Sequence, residues 1–412
     1  MTMTSQSMKT WAYSARDASG KIVKGKLDAP TESAVVARLR TMGIAPIAID
    51  ESSATGLQRE ITLPGFEKRV KLKDLAVASR QMATMLASGL SLLRTLTILS
   101  QQTENPKLAE VLGKVRSDVE TGSSLSDALH RHPLIFPRLM IHLIKAGETG
   151  GFLDRSLESI ANNFEADVKL RQTIKSALTY PIAVLCMAFA AVIAMMIFIV
   201  PIFKAMFEDF DSALPLPTQI LVTLSENMIW IVPVLVVVIV GFTVWWRRNK
   251  HTDEVRSKVD PLVLKMPVFG QLFRKVAIAR FSRNFATMMA AGVPILQSLA
   301  IVGETSGNWV IEQALVKVQD SVRTGRSIAA PLTEEPIFPA MVTQMVSVGE
   351  DSGSLEIMLE KVADFYDEEV QSTAESLTSL IEPLMIGVIG VVIGGMIVAL
   401  YMPVFSIFNE IG

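Results

Sequence analysis

Two stretches decide how this chain is read: AGETGGFL at residues 146–153 and VGEDSGSL at residues 348–355. Each carries Gly-Glu-x-x-Gly-x-Leu, and each is followed by a helix-forming stretch that runs into an apolar block. Superimposing Gly147 on Gly349 sets an offset of 202 residues that also pairs Leu157 with Leu359, Glu158 with Glu360, Pro181 with Pro383 and Pro201 with Pro403. Further upstream the offset becomes 203, where SRQMATMLASG at 79–89 faces SRNFATMMAAG at 282–292, so one residue has been lost between the anchors. Agreement of glycine, proline and aromatic punctuation over so long a stretch is the mark of a tandem duplication.

The chain has 412 residues, 50% of them hydrophobic and 19% charged, with a mean hydropathy of +0.39. That is too apolar for an ordinary soluble protein. A formal net charge of −2 gives no electrostatic case for nucleic acid. Three blocks account for the hydropathy: residues 181–203, 229–246 and 383–408. The first and third carry no charge and are long enough to span about 30 Å of hydrocarbon, while the second is bracketed by tryptophans, as interfacial belts are. Basic residues flank the bundle side of the first two blocks (Lys169, Arg171 and Lys175, then Arg247, Arg248 and Lys250), and the connector at 204–228 is acidic. The positive-inside rule therefore predicts an external connector and two large cytoplasmic segments. The third block has no flanking Lys or Arg and takes its orientation from the repeat. Two copies facing the same way need one returning helix, which residues 229–246 supply. The start of the chain has no apolar signal region, so the N-terminus is expected in the cytoplasm and the C-terminus outside.

The polar half of each repeat reads as helix throughout. Asn105-Pro106 and Ser124 with Asp127 are helix starts, and Gly89 and Gly147 are helix ends. Residues 1–50 differ, with two strand-like runs around Ser19-Gly20, a helix, and a further strand at IAPIAI. The expected architecture is an all-α membrane protein with a small α+β appendage. It comprises an N-terminal domain at 1–50, a linker at 51–70, helical bundles at 71–180 and 247–382, spans at 181–203, 229–246 and 383–408, and a short tail at 409–412.

Chemistry is hard to find. No P-loop sequence, H-E-x-x-H or C-x-x-C occurs, and the single Cys186 lies in an apolar block. His130, His132 and His142 read as surface residues rather than metal ligands. For the Gly-Glu turn, the structural reading has Gly147 and Gly349 ending one helix while Gly151 and Gly353 let the next begin close by. The functional reading puts Glu148 and Glu350 on exposed hairpin tips touching a partner or a cation. Asp364, Asp367, Glu368 and Glu369 form either a solvated helix face or a docking surface. Within the third block Gly387, Gly390, Gly394 and Gly395 make a small-residue face for close helix packing, within one chain or in a dimer.

Together these residues resemble the type II secretion F / type IV pilus assembly C family of inner-membrane platform proteins. The resemblance rests on the duplicated Gly-Glu turns, YPIAV at 180–184, ALPLPTQ at 213–219, MPVFG at 266–270, ALYMPVFSIF at 399–408 and YSARDASGKIVKGKL at 13–27. SRQMATMLASGL at 79–90 and the N-terminal appendage look more like the pilus branch. The resemblance implies a non-enzymatic component without cofactor in the bacterial inner membrane. Its implied partners are a hexameric assembly ATPase, and a retraction ATPase where there is one, together with pilins or pseudopilins, other inner-membrane components of the machine and a second copy of the chain.

Overall fold

The computed structural model describes residues 9–16, 22–29, 31–42, 45–51, 69–208, 215–250, 252–267 and 269–411. The chain divides into two compact units, Met1–Arg69 and Val70–Gly412. In the first, β1 (Lys9–Arg16) lies between β2 (Ile22–Ala29) and β3 (Ala45–Glu51), antiparallel to both. Helix α1 (Glu32–Thr41) buries Val35 and Leu39 beside Ala29 and Trp11. The Trp11 indole N–H donates to the Ala29 carbonyl at 3.1 Å. The turn at Ser19-Gly20 and most of the expected linker lie outside the described residues.

The second unit is all helix among the described residues. Its first repeat runs α2 (Leu72–Ala87), α3 (Leu92–Gln102), α4 (Pro106–Glu120), α5 (Leu125–His130), α6 (Arg138–Gly150) and α7 (Leu153–Ala194). After a π turn at Met195–Ile199 come α8 (Val200–Glu208), α9 (Leu216–Glu226), α10 (Met228–Asn249) and α11 (Asp253–Lys265). The second repeat is α12 (Phe269–Ala290), α13 (Ile295–Thr305), α14 (Trp309–Arg323), α15 (Ala329–Glu334), α16 (Ala340–Ser352) and α17 (Leu355–Ile411). The starts legible in the sequence are built as expected. Asn105 accepts from the N–H groups of Lys107 and Leu108, and Ser124 from that of Asp127. Three helical stretches are long and apolar enough to cross a membrane: those at Leu153–Met206, Met228–Asn249 and Leu355–Pro403.

Three features depart from the expected layout. First, the first and third spans do not begin as new helices at the membrane edge. Pro181 and Pro383 sit inside α7 and α17, which pass unbroken from bundle to span. The boundaries at 181 and 383 are changes of polarity along one helix, because a single proline kinks a well-packed helix without ending it. Second, the two bundles are not separate bodies. One hydrophobic core runs from Leu96, Leu112 and Ile144 in the first repeat to Phe281, Val302 and Val346 in the second. The long helices continue that contact toward the membrane, with Leu170 packed among Val276, Val370 and Leu377.

Third, the glycines of the Gly-Glu turn do different jobs from those expected. Helix α6 does not end at Gly147 but at Gly150, and the left-handed residue is Gly151 at φ 76°. Gly353 repeats this at φ 67° after α16. Gly147 and Gly349 are buried where the next helix crosses. A Cβ on Gly147 would overlap the Ser156 hydroxyl, and one on Gly349 would stand 2.9 Å from Leu355 Cα. Overlap with the Ser156 side chain at Gly147 and with main chain at Gly349 should outweigh the ~1 kcal/mol of helix propensity that alanine brings. Gly147→Ala and Gly349→Ala are therefore expected to lower the thermal midpoint of the full chain in detergent. Gly151→Ala and Gly353→Ala, which have open space, should lose only the ~1–2 kcal/mol of the left-handed backbone. Unchanged midpoints for the first pair would refute the close-approach role.

Candidate functional site

The glutamate of each turn reaches back across its own repeat. Glu148 accepts from the backbone N–H of Leu125 at 2.5 Å and of Ser126 at 3.0 Å, and from the Ser126 hydroxyl at 2.6 Å. Glu350 does the same, accepting from the N–H of Ile328 at 2.9 Å and of Ala329 at 3.2 Å. These N–H groups open α5 and α15, six-residue helices too short to hold themselves. Their free donors need acceptors, and a carboxylate also suits the positive end of the helix. Of the two readings of the turn, the one with both carboxylates on exposed tips is thus overturned. They are half-buried, and their oxygens are taken up inside the fold.

The acidic run is likewise engaged from within. Arg283 of α12 donates to Asp364 at 3.1 Å and Asp367 at 2.6 Å on α17. At the equivalent places of the first repeat, Arg80 of α2 donates to Asn162 at 2.5 Å and Glu165 at 2.7 Å on α7. Lys275 holds Glu369 at 2.7 Å, leaving Glu368 facing solvent. The arginine is the second residue of the matched SRQMAT and SRNFAT stretches, so a signal for this clamp was present but unread. The two clamps differ electrostatically. The Arg80 hydrogen bond holds the Glu165 carboxyl below its ordinary range. Burial pushes Asp367 up, against the pull of Arg283.

Between the repeats runs a polar seam. Arg138 meets Glu304 at 2.8 Å, Arg280 meets Asp167 at 2.8 Å, and the Asn163 amide donates to Asn284 at 3.0 Å where both are buried. His142 on α6 pairs with Gln297 on α13 at 3.1 Å. Burial first, then the nearby Lys145, Arg138 and His130, lowers the His142 pKa, with Glu304 opposing. A cavity of about 480 Å³ opens on this seam among Asp167, Arg171, Arg280, Arg283, Glu304 and Asp367, an equal number of acids and bases. Among the described residues no group of three His, Cys, Asp or Glu side chains converges as metal ligands would. What the arrangement can do is mechanical: these polar contacts add register to two repeats that share one hydrophobic core.

The small-residue face is open. A Cβ added at Gly387, Gly390, Gly394 or Gly395 would meet nothing within 4 Å, so these glycines do not serve packing within the described chain. Pro181 is buried, and the Ala177 carbonyl it leaves without an N–H lies 3.4 Å from the Thr378 hydroxyl of α17. Pro383 is exposed.

Two outcomes follow from these contacts. Glu350→Ala should cost about 2 kcal/mol by orphaning the α15 donors, with faster amide exchange at Ile328 and Ala329, and Glu350→Gln should recover part of it. Acid should act unevenly. The contribution of Glu165 is complete above the ordinary carboxylate value of 4.5 and is lost as pH falls through its lowered pKa. Asp367, with its pKa raised from 3.8, sheds an unfavourable charge as pH falls, so its contribution grows on acidification. Hydrogen exchange across that range should loosen the α2–α7 pair before the α12–α17 pair, and the reverse order would contradict the assignment.

The comparisons with known proteins agree with this anatomy. The profile for type II secretion system (T2SS), protein F, matches residues 78–201 and again 281–403, and that for its N-terminal domain matches residues 8–50. The type IV pilus assembly protein PilC of Myxococcus xanthus is 41% identical over 403 residues, covering 97% of this chain and 95% of its own. PilC of Pseudomonas aeruginosa is 37% identical over 380 residues, covering 92% and 100%. The type II secretion system protein F of Vibrio cholerae is 29% identical over 404 residues, covering 98% and 99%. Duplicated helical repeats, membrane-spanning helices that grow out of them and near full-length similarity together show that the chain belongs to the type II secretion system protein F family.

Proposed function

We propose that the chain is the inner-membrane platform of a type IV pilus machine, coupling a cytoplasmic hexameric ATPase to the insertion and extraction of pilin subunits. The observation that carries this reading is the continuity of α7 and α17. Each starts at a latched Gly-Glu turn, is clamped by an arginine within its bundle, and enters the membrane without a break. Motion imposed on the bundles therefore reaches the spans along stiff rods. In this reading the N-terminus and both repeats lie in the cytoplasm, and the C-terminus lies in the periplasm. The role is mechanical rather than catalytic.

Partners follow from the surfaces left free. Glu368, the member of the acidic run that neither Arg283 nor Lys275 engages, is exposed and stays available to a basic patch of the ATPase, as do exposed Thr149 and Asp351 beside the latches. The open glycine face of α17 suits close approach by a second copy or by another membrane helix of the machine, pilins included. Identity of 41% and 37% to pilus assembly proteins, against 29% to a secretion protein, favours the pilus branch. The second reading, a type II secretion platform acting on pseudopilins, keeps the same mechanics.

The test is ATP turnover by the cognate assembly ATPase with and without the full chain in nanodiscs, with co-elution scored on the same samples. Binding with altered turnover is expected. Replacing exposed Gln172 and Ser176 of α7 by glycine, at ~1 kcal/mol each, should soften the rod and abolish the change in turnover while leaving binding intact. Absence of both binding and altered turnover would overturn the proposal.

A further inference from the structure

Helix α9, in the segment read as an external connector, has three faces rather than two. At about 100° per residue Thr218, Val222 and Ser225 share one face, Leu216, Ile220 and Leu224 a second, and Gln219, Thr223 and Glu226 a third. The first face is turned inward, with Thr218 at 1% and Val222 at 7% exposure, and Val222 packs with Met196 and Leu400. The second is bare hydrocarbon, with Leu216 75%, Ile220 66% and Leu224 45% exposed. The third is polar and exposed, with Glu226 paired to Lys204 at 2.6 Å.

The inward face is pinned at membrane depth by two hydroxyls. Pro403 has no N–H for the carbonyl of Ala399, four residues before it, and the Thr218 hydroxyl donates to that carbonyl instead. In the π turn the Val200 N–H reaches back five residues to Met195. The next donor in that register would be residue 201, a proline, and the Ser225 hydroxyl donates to the Met196 carbonyl left over. Pro201 and Pro403 are repeat equivalents, so one helix repairs the same defect in both spans. In hydrocarbon an unpaired carbonyl is costly, which makes these hydroxyls strong anchors. Met196 and Ala399 both lie inside the uncharged blocks, so α9 is tied to backbone at the depth of the acyl chains.

From this we infer that α9 is an interfacial membrane helix. It lies in the bilayer boundary remote from the bundles, with Leu216, Ile220 and Leu224 among acyl chains and Gln219, Thr223 and Glu226 toward the headgroups. Lipid is the occupant that fits. The apolar stripe leads through Asn227 into α10, a spanning helix with no buried residue, whose first turn exposes Ile229 and Trp230. An apolar stripe beside a polar one is the pattern of a helix lying in the interface plane.

The test labels single cysteines, in a Cys186→Ser background, with an environment-sensitive fluorophore. The full chain is reconstituted in phosphatidylethanolamine–phosphatidylglycerol vesicles. A phosphatidylcholine spin-labelled near its headgroup reports lipid contact, and iodide reports water. Labels at Ile220→Cys and Leu224→Cys should be quenched several-fold more by the spin-labelled lipid than by iodide, and labels at Gln219→Cys and Thr223→Cys the reverse. The two sites on each face guard against one variant misfolding. Equal iodide access on both faces would place α9 in water and overturn the inference. Protection of Ile220 and Leu224 from both quenchers would mean that protein covers the stripe, which overturns it equally.

Discussion

Backbone donors at the start of a short helix must be satisfied, and here a glutamate from another helix does it. That contact fixes where α6 and α16 stop relative to α5 and α15, and so where α7 and α17 begin. Gly151 and Gly353 turn the chain immediately afterwards at φ 76° and 67°. Gly147 and Gly349 let the new helix cross without a side chain between. The arginine clamps then hold the same helices some ten residues further along. Direction is thus set twice before the chain reaches the bilayer.

The duplication gives two such rods, and the seam between them is of another kind. Each clamp stays within one repeat, whereas Arg138–Glu304, Arg280–Asp167 and His142–Gln297 cross from one to the other. The exposed Arg138–Glu304 pair contributes only about 0–1 kcal/mol, whereas Arg280–Asp167 is mostly buried. These polar contacts fix the register of two repeats that a shared hydrophobic core already holds together. At the far end of the spans α9 closes the frame by hydrogen bonding to both rods.

The duplication, the spans and the helical character were legible because glycine, proline and apolar runs carry their meaning locally. The latch was not. The partners of Glu148 and Glu350 are main-chain N–H groups, which leave no trace in residue identity, so an exposed acidic tip and a buried cap read alike. Arg80 and Arg283 were visible in the repeat, but pairing them with Asn162, Glu165, Asp364 and Asp367 required knowing which helices touch. The hydroxyls of Thr218 and Ser225 gain meaning only beside Pro403 and Pro201, nearly two hundred residues away in one case. For Gly387, Gly390, Gly394 and Gly395, read as a small-residue face for close packing, the structure leaves open space rather than a neighbour within the described chain.

The central claim is that each long helix moves as one rigid piece from bundle to membrane. It is tested most directly by electron spin resonance distances along α7 and the π turn that continues it, with spin labels at exposed Gln172 and Phe198 in a Cys186→Ser background, on either side of Pro181. At 1.5 Å per residue the two backbone sites lie about 40 Å apart. A single narrow distance, unchanged when the ATPase and nucleotide are added, is the predicted result. A distance that shortens or broadens on their addition would show the helix bending at the membrane edge and would contradict the account.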